Sequence, residues 1–430
     1  MENTTDVSEF QKMKKVIISC VAGSALEWYD FAIYGFFATI IGQLFFPSGD
    51  EFQQLIASFG AFASGLIARP IGAIMFGYIG DIWGRKTALV ISIYMMAIPT
   101  ALMGILPTYE VIGIWAGVAL TIIRILQGLA LGGGFTGTIV FLYEHSSPQK
   151  KSTYSAWAPF SLVFGFVLGA LVATCIDKIL TSDQLESFGW RIPFILSFVG
   201  TFVARYVKDK LEDPREFVEQ NHEDVKEETK EEGLLGNLFK NHWKGLVLVT
   251  LTDVLTACGY FLIAIFFTTY LDTILELGRH DAFIIQTINM ICFSLFILLG
   301  GWLADHVGKR LQMIIATLSL AALAYPLFYS MSNATFWSAL FGQMGIIFLF
   351  SMYYGPIPAT ICSMFPTKVR LVGVSIAHNF AMAAFGAYAP TLATYLIKWT
   401  DSLISPALLF VISSLVTFIA LWIWKEGKEY

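Results

Sequence analysis

The chain has 430 residues, of which 56% are hydrophobic and 14% are charged, and its formal net charge is −5. An ordinary soluble domain has about 25% charged residues, so this chain has too few polar side chains to cover its apolar surface. The composition therefore excludes soluble enzymes, secreted disulfide scaffolds and disordered regulators, and it predicts an integral membrane protein.

Neither the basic residues nor the cysteines and histidines predict a nucleic-acid or metal partner. No basic stripe runs along the sequence, the five cysteines lie in apolar runs, and the six histidines are scattered. Neither H-x-x-x-H nor C-x-x-C occurs, and these are common spacings of metal ligands. We therefore expect no nucleic acid, no metal and no cofactor.

Twelve apolar segments are long enough to cross a bilayer, which requires about 20 residues in a helix. They are continuous rather than alternating in polarity, so membrane β-strands are excluded. The first segment is too long for a signal peptide and lacks a cleavage site, so we expect it to remain in the mature protein. The predicted spans are residues 16–46, 52–80, 86–107, 111–143, 153–177, 191–208, 243–272, 282–304, 310–330, 334–364, 370–398 and 402–424.

The distribution of Lys and Arg predicts the orientation of the spans, because basic residues favour cytoplasmic loops. With the N-terminus on the cytoplasmic side, most of the 27 basic residues fall in the inner loops and the central loop. An even number of spans returns the chain to the same side. Both termini are therefore predicted to be cytoplasmic.

A charged stretch at residues 209–242 divides the predicted spans six and six. A solvated linker is the simpler interpretation of this stretch, and a regulatory docking segment is the alternative. The predicted organisation is an N-terminal six-helix bundle at 1–208, a cytoplasmic linker at 209–242 and a C-terminal six-helix bundle at 243–430.

The two halves repeat one motif, G-x-x-x-D-x-x-G followed by two basic residues, after span two and after span eight. Its first Gly permits close helix contact and its second permits a tight turn. Its Asp accepts hydrogen bonds either from the basic pair or from the N-terminus of a neighbouring helix. A duplicated chain of this kind is typical of rocking-bundle transporters, in which such a contact would latch the cytoplasmic face. The gating positions are Gly77, Asp81, Gly84 and Arg85 in the first copy and Gly301, Asp305, Gly308 and Lys309 in the second.

This repeated motif resembles the loop 2–3 and loop 8–9 signature of the major facilitator superfamily. Ile82 and His306 stand where that signature usually has a basic residue. In span four, R-I-L-Q-G at Arg124–Gly128 is similar to the R-x-x-Q-G motif that the superfamily links to proton coupling. The resemblance implies an all-α membrane protein with twelve transmembrane helices in two six-helix bundles.

A narrower resemblance, to the metabolite–proton symporters, covers nearly the whole chain. That family carries proline, betaine, 2-oxoglutarate, citrate and shikimate with protons, and it implies a bacterial inner membrane. Residues 132–137 are most similar to the proline/betaine branch, with Gly134 in place of the usual Glu. The resemblance rests on E-W-Y-D-F at Glu27–Phe31, R-P-I-G at Arg69–Gly72, W-R-I-P-F at Trp190–Phe194, L-E-D-P at Leu211–Pro214 and F-P-T-K-V-R at Phe365–Arg370.

Ionisable residues inside spans are costly, so each needs a reason. Glu27, Asp30 and Tyr34 share one face of span one, because they are spaced three and four residues apart. Two carboxylates this close resist ionising together, which suits a proton carrier. Alternatively, one faces a substrate ammonium group, or they form a fixed ion pair between helices. Arg124 lies at a similar depth, where it binds a substrate carboxylate, releases an acidic partner when substrate arrives, or serves as a structural counter-ion.

Further polar residues are weaker candidates. Asp253 in span seven is equally a coupling acid or a buried hydrogen-bonded residue, and a satisfied core histidine is favoured over a proton relay for His378. The predicted substrate site is completed by Arg69, Gln127 and Asn379.

The sequence thus predicts a monomeric symporter that imports a small carboxylate-bearing or zwitterionic metabolite with a proton, through a central site between two bundles. Glu27 and Asp30 would carry or gate the proton, and Arg124 would orient the anionic group. The alternatives are a proton-independent facilitator or exchanger of the same solutes, and a nutrient sensor signalling through residues 209–242. An enzyme is not expected, because no nucleophile, base or metal set clusters at a membrane face.

Overall fold

The computed structural model describes residues 2–47, 51–214, 217–219 and 225–430, and this part of the chain is all-helical. Eleven segments of 21–34 residues are long and apolar enough to cross a membrane. A twelfth apolar helix, Ala407–Ile423, has 17 residues. The prediction of an all-α membrane protein with twelve spans is confirmed.

Spans one to six are continuous helices except for the sixth, which has two parts. Gly84 separates spans two and three, and its φ of 107° allows the sharp turn between them. The spans are Glu2–Phe45, Glu51–Ile82, Arg85–Ile105, Trp115–His145, Trp157–Ile179 and, for the sixth, Arg191–Leu196 with Val199–Lys210. Short helical segments connect them at Tyr109–Ile112, Pro148–Lys150, Lys151–Ser155, Ser182–Gln184 and Leu185–Gly189.

Spans seven to twelve are more irregular, because spans seven, ten and eleven are interrupted. Span seven comprises Trp243–Thr252, Val254–Phe261, Leu262–Phe266, Phe267–Thr269 and Tyr270–Ile274. Spans eight and nine are Arg279–Val307 and Lys309–Met331, and span ten comprises Phe336–Tyr354 and Ile357–Cys362. Span eleven comprises Arg370–Ala381, Met382–Gly386 and Ala389–Thr400, after the short turn Thr367–Val369, and span twelve is Ala407–Ile423.

The predicted central linker contains the helix Val225–Asn241, which bends at Gly233, where φ is 69°. Leu238 on this helix is fully buried, and Phe239 beside it is exposed. Residues 215, 216 and 220–224 of the predicted linker lie outside the described part of the chain.

The chain forms two compact units. The first comprises Met1–His145 with Ser161–Glu219, and the second comprises Ser146–Phe160 with Gln220–Tyr430. Residues 146–160, from the first half of the sequence, therefore pack with the second half. There the short helix Lys151–Ser155 contacts spans eight and ten.

In the first unit, spans two and four lie close together because glycines face each other. A Cβ added to Gly128 would lie 1.9 Å from the carbonyl oxygen of Gly65, and one added to Gly72 would lie 2.0 Å from that of Leu129. Any larger residue would force the helix backbones apart. The close packing positions span four, including Arg124, against the rest of the unit.

Aromatic side chains fill the core of each unit. In the first, the rings of Phe45 and Trp190 meet edge to face with centroids 5.7 Å apart. In the second, Phe328 packs against Phe267 and Phe410 with centroid separations of 5.8 and 6.1 Å. Such pairs add about 0.5–1.5 kcal/mol each beyond the area they bury.

Candidate functional site

A buried ion pair joins span one to span four in the first unit. The Nη1 of Arg124 donates to Oδ2 of Asp30 at 2.6 Å, and both side chains are at most 2% exposed. Gln127 donates to Oδ1 of Asp30 at 3.2 Å and to the hydroxyl of Thr100 at 2.7 Å. Both carboxylate oxygens of Asp30 therefore accept a hydrogen bond, and these bonds fix the position of the carboxylate between spans one and four.

Aromatic rings cover the guanidinium of Arg124. Its central carbon lies 3.7 Å from the ring centroid of Tyr34 and 5.6 Å from that of Phe62. The Tyr34 hydroxyl donates to the carbonyl of Ser58 at 2.8 Å, which fixes the ring. Tyr34 therefore acts through its π-face here, and cation–π attraction stabilises the buried cation.

One edge of the Arg124 guanidinium carries no hydrogen bond. Its Nε and Nη2 have no partner among the described residues, and neither does Oε1 of Gln127. Arg124 and Gln127 line a small cavity, whose other walls are Phe31, Phe62, Gly65, Gly128 and Leu131. The Nε–H and Nη2–H groups of a guanidinium point in the same direction and match the two oxygens of a carboxylate.

Glu27 occupies a separate environment, although it lies on the same helix face as Asp30. It is 1% exposed, and its Oε2 has no hydrogen-bond partner among the described residues. Its carboxyl group lies against Gly134, where an added Cβ would come within 1.9 Å of Oε1. Arg69, also buried, is the basic residue whose charge acts on Glu27. The two predicted carboxylates are thus matched with two different arginines.

Asn379, the remaining predicted substrate ligand, belongs to the second unit. It is buried on span eleven, and its Nδ2 donates to the carbonyl of Ser375 at 2.9 Å. The six other predicted substrate and coupling residues all lie in the first unit.

The first copy of the repeated motif forms a buried charge network at the end of span two. Arg85 pairs with Asp81, donates to Glu144 through Nε at 3.1 Å, and donates to the carbonyl of Gly80 at 2.6 Å. Its guanidinium also lies 4.8 Å from the ring centroid of Phe217. Sequence reasoning did not identify Glu144, although a lone acid at the end of span four is a signal that a basic partner is near.

The L-E-D-P segment contributes to the same region. Asp213 accepts a hydrogen bond from the backbone N–H of Lys86 at 2.8 Å, and its carboxylate lies against Gly84. Because Lys86 is in the first turn of span three, Asp213 caps that helix from a distant part of the sequence. The sequence contains both residues, but only the fold brings them together.

The second copy uses its Asp differently. Asp305 accepts from the backbone N–H groups of Ser152 and Thr153 at 3.0 and 2.7 Å, and from the Thr153 hydroxyl at 2.6 Å. It thus lies at the N-terminus of the short helix Lys151–Ser155. The side chain of Lys309 approaches the Ser363 hydroxyl at 3.4 Å instead. The two alternatives for the motif Asp, the basic pair and a helix N-terminus, occur one in each copy.

The second unit holds a buried acid–histidine pair that sequence reasoning treated as two separate residues. The Nδ1 of His378 lies 2.8 Å from Oδ2 of Asp253, and their side chains are 3% and 0% exposed. Ionisable residues in two spans of one bundle usually pair, and this was the available signal.

Comparison with known proteins gives a family and several relatives. The family described as sugar (and other) transporters matches residues 15–429. A proline/betaine transporter of Salmonella typhimurium is 31% identical over 95% of this chain and 82% of its own length. A glycine betaine/proline/ectoine/pipecolic acid transporter of Dickeya dadantii is 29% identical, covering 96% and 84%. A citrate–proton symporter of Klebsiella pneumoniae is 29% identical, covering 91% and 87%.

Solved structures share the fold. The proton:xylose symporter XylE, of the major facilitator superfamily, superposes with a TM-score of 0.73 at 17% identity, covering 98% of this chain and 97% of that one. A double-tryptophan mutant of XylE gives a TM-score of 0.78, also at 17% identity, covering 97% and 96%. At this identity the likeness establishes the architecture of twelve helices and nothing about the solute.

Proposed function

We propose, from the premise that this chain belongs to the sugar (and other) transporter family of the major facilitator superfamily, that it imports a small carboxylate-bearing or zwitterionic metabolite together with a proton. The family establishes a multi-pass membrane transporter and not an enzyme. The identity of the solute and the coupling to protons are parts of the proposal. We also propose that the carrier is a monomer, that it lies in the inner membrane and that both termini are cytoplasmic.

The open Nε and Nη2 edge of Arg124 is the observation that carries the proposal. A buried guanidinium with two unbonded N–H groups beside a cavity is costly unless hydrogen-bond acceptors complete its edge. A carboxylate supplies two oxygens in the required geometry. We infer that this edge holds the carboxylate of the solute while Nη1 keeps its contact with Asp30.

Charge balance explains why a proton would travel with the solute. The empty site is neutral, because the charge of Asp30 cancels that of Arg124. Adding a carboxylate alone would leave one negative charge in a buried place, at a cost of several kcal/mol. Protonation of Asp30 removes that charge, so the loaded site is neutral again. When Asp30 loses the proton on the cytoplasmic side of the membrane, its ion pair with Arg124 forms again and the carboxylate of the solute is released.

Glu27 would distinguish a zwitterion from a simple carboxylate. Its unpartnered Oε2 is available to a substrate cation, and aromatic rings on the same helix add cation–π attraction. For a zwitterion such as proline or betaine, ionised Glu27 would face the ammonium group. For a carboxylate without a cation, Glu27 would remain protonated. The named relatives include carriers of both kinds.

The two motif networks are proposed as gating contacts. Movement of the helices would exchange the Arg85 contacts with Asp81 and Glu144 for contacts with water. It would also release the short helix Lys151–Ser155 from Asp305. Each contact is a charge-assisted hydrogen bond in a buried or half-buried place. It would stabilise one conformation of the transporter but would still allow the change to the other conformation.

Proton influx into proteoliposomes with an internal pH dye tests the proposal. Proline, glycine betaine, 2-oxoglutarate, citrate and shikimate are added one at a time, with protein-free vesicles as the control. Influx triggered by one or more of these solutes supports proton symport and identifies the solute class. Radiolabelled counterflow without proton influx would show a facilitator or exchanger. A chain that binds a solute without flux would be a sensor, and the transport proposal would be wrong.

A further inference from the structure

We infer that the cavity beside Arg124 selects solutes with an N–H or O–H group next to their carboxylate, namely α-amino and α-hydroxy acids, and that Gln127 makes this selection. The selection rests on the proposed function, in which the carboxylate of the solute binds the Nε and Nη2 edge of Arg124. It narrows the proposed solutes to one class, by the hydrogen-bonding groups that face the cavity.

The side-chain amide of Gln127 has a fixed orientation. Its Nε2 donates to Oδ1 of Asp30 at 3.2 Å and to the hydroxyl of Thr100 at 2.7 Å. That hydroxyl donates its own hydrogen to the carbonyl of Met96 at 2.7 Å, so it can only accept from Gln127. The NH2 group must therefore lie on the Thr100 side, whether or not Asp30 carries a proton. Oε1 of Gln127 is turned away from both partners.

The cavity presents two hydrogen-bond donors and one acceptor. Nε and Nη2 of Arg124 and Oε1 of Gln127 are buried and have no hydrogen-bond partner among the described residues. Both side chains line the cavity, and its other walls in the described part of the chain are apolar side chains and glycines. A carboxylate can accept from the guanidinium, but its ionised oxygens have no hydrogen for Oε1. The group that enters must therefore carry a donor as well.

The size of the cavity makes the solute itself the source of that donor. Its volume is about 10 Å³, near the lower limit for one water molecule. Without solute, one water meets the pattern, since it accepts from Arg124 and donates to Oε1 of Gln127. The solute competes with that water for the same place and must replace its contacts. An N–H or O–H on the carbon that carries the carboxylate can do so.

Two aromatic rings form the wall that can move to admit the solute. The rings of Phe31 and Phe62 meet edge to face with centroids 4.7 Å apart, and both residues are only half-buried. The glycine wall is rigid, because a Cβ added to Gly128 would lie 1.9 Å from the carbonyl oxygen of Gly65. Movement of the rings would enlarge the cavity without shifting the two polar side chains, which their hydrogen bonds hold in place.

Gln127 and Glu27 impose different requirements on the solute. Glu27 would respond to positive charge, which a quaternary ammonium carries as well. Oε1 of Gln127 requires a hydrogen, which proline and citrate have next to a carboxylate and which glycine betaine and 2-oxoglutarate lack. In shikimate the hydroxyl groups lie further from the carboxylate. Because a buried acceptor left unpaired is costly, donor-free solutes should bind about 5- to 150-fold more weakly.

Binding of matched solute pairs to the purified full chain, measured by isothermal titration calorimetry, tests the selection without any need for transport. The pairs are L-proline with N,N-dimethyl-L-proline, and 2-hydroxyglutarate with 2-oxoglutarate. We expect the donor-bearing member of at least one pair to bind about 5- to 150-fold more tightly. The pair that binds also separates amino acids from hydroxy acids. N-methyl-L-proline keeps one N–H group and should bind nearly as well as proline.

Gln127→Met removes the acceptor but keeps a side chain of similar length, so it should abolish or reverse the difference within a pair. Thr121→Val is the matched control. Thr121 lies on the same span, its hydroxyl donates to the carbonyl of Gly117 at 2.8 Å, and it does not line the cavity. The control should keep the full difference.

The possible failures are distinguishable. Equal affinity within both pairs, or binding confined to solutes without such a donor, overturns the selection and leaves proton symport of a carboxylate standing. A difference that Gln127→Met leaves unchanged also overturns it, because the amide is then not its source. If that variant misfolds, N-methyl-L-proline decides on the unmodified protein, since weak binding would point to bulk rather than to a lost donor. Binding of no solute in the pairs or the panel contradicts the proposed function, and the selection with it.

Discussion

Gly134→Ala should displace the Glu27 carboxyl group and impair transport while leaving the fold intact. The new Cβ would lie 1.9 Å from Oε1 of Glu27, against 3.4–4 Å for an ordinary contact, so the carboxyl group must move by at least about 1.5 Å. Because it ends a flexible side chain, it can move without shifting the backbone. The cost therefore falls on the contacts of Glu27 with solute or Arg69.

We expect that cost to be about 1–3 kcal/mol, the range for overpacking a buried site. It corresponds to a loss of about 5- to 150-fold in kcat/KM for proton-driven uptake. The assay is the initial rate of uptake of the solute that is active in the panel. The free energy of unfolding, measured in parallel, should fall by no more than about 2 kcal/mol, because the helix preference of Ala over Gly, about 1 kcal/mol, offsets part of the overpacking cost.

Gly137→Ala is the matched control, because it lies on the same helix and an added Cβ there meets nothing within 4 Å. Glu27→Asp in the Gly134→Ala background is the rescue, since it shortens the side chain by one bond of about 1.5 Å. Equal kcat/KM in Gly134→Ala and Gly137→Ala would refute the crowding argument. So would a double variant no better than Gly134→Ala alone.

Three further predictions concern Asp30, Arg124 and the Asp213 carboxylate that caps span three. Asp30→Asn should abolish solute-driven proton influx but retain radiolabelled counterflow, because the amide mimics the protonated acid; intact proton influx would remove Asp30 from the coupling role. Arg124→Lys should raise KM at least about tenfold, because an ammonium cannot bind both carboxylate oxygens on one edge; an unchanged KM would contradict the assignment. Asp213→Ala should destabilise the protein by about 0.5–2 kcal/mol in thermal unfolding through loss of the cap on span three. Asp209→Ala, which removes an exposed pair with Arg205 at 3.6 Å, is its control and should have no measurable effect.

The sequence determined the features that depend on neighbouring residues along the chain. Length and continuous apolarity define a membrane helix, so the twelve spans were predictable one at a time. The repeated motif and its glycines were equally visible, because a turn such as that at Gly84 is a local property of the backbone. The candidates Glu27, Asp30 and Arg124 followed from the cost of placing a charge in a span.

Only the tertiary structure decided which charge faces which. Whether Arg124 pairs with Asp30 or Glu27 depends on helix rotation and tilt, which are set by packing such as the glycine contact between spans two and four. The different contacts of the two motif aspartates depend on the helices beside them, and the two copies have different neighbours. Asp253 and His378, predicted singly, became a pair because two interrupted spans bring them together. Sequence shows which residues need a partner, and packing in three dimensions selects that partner.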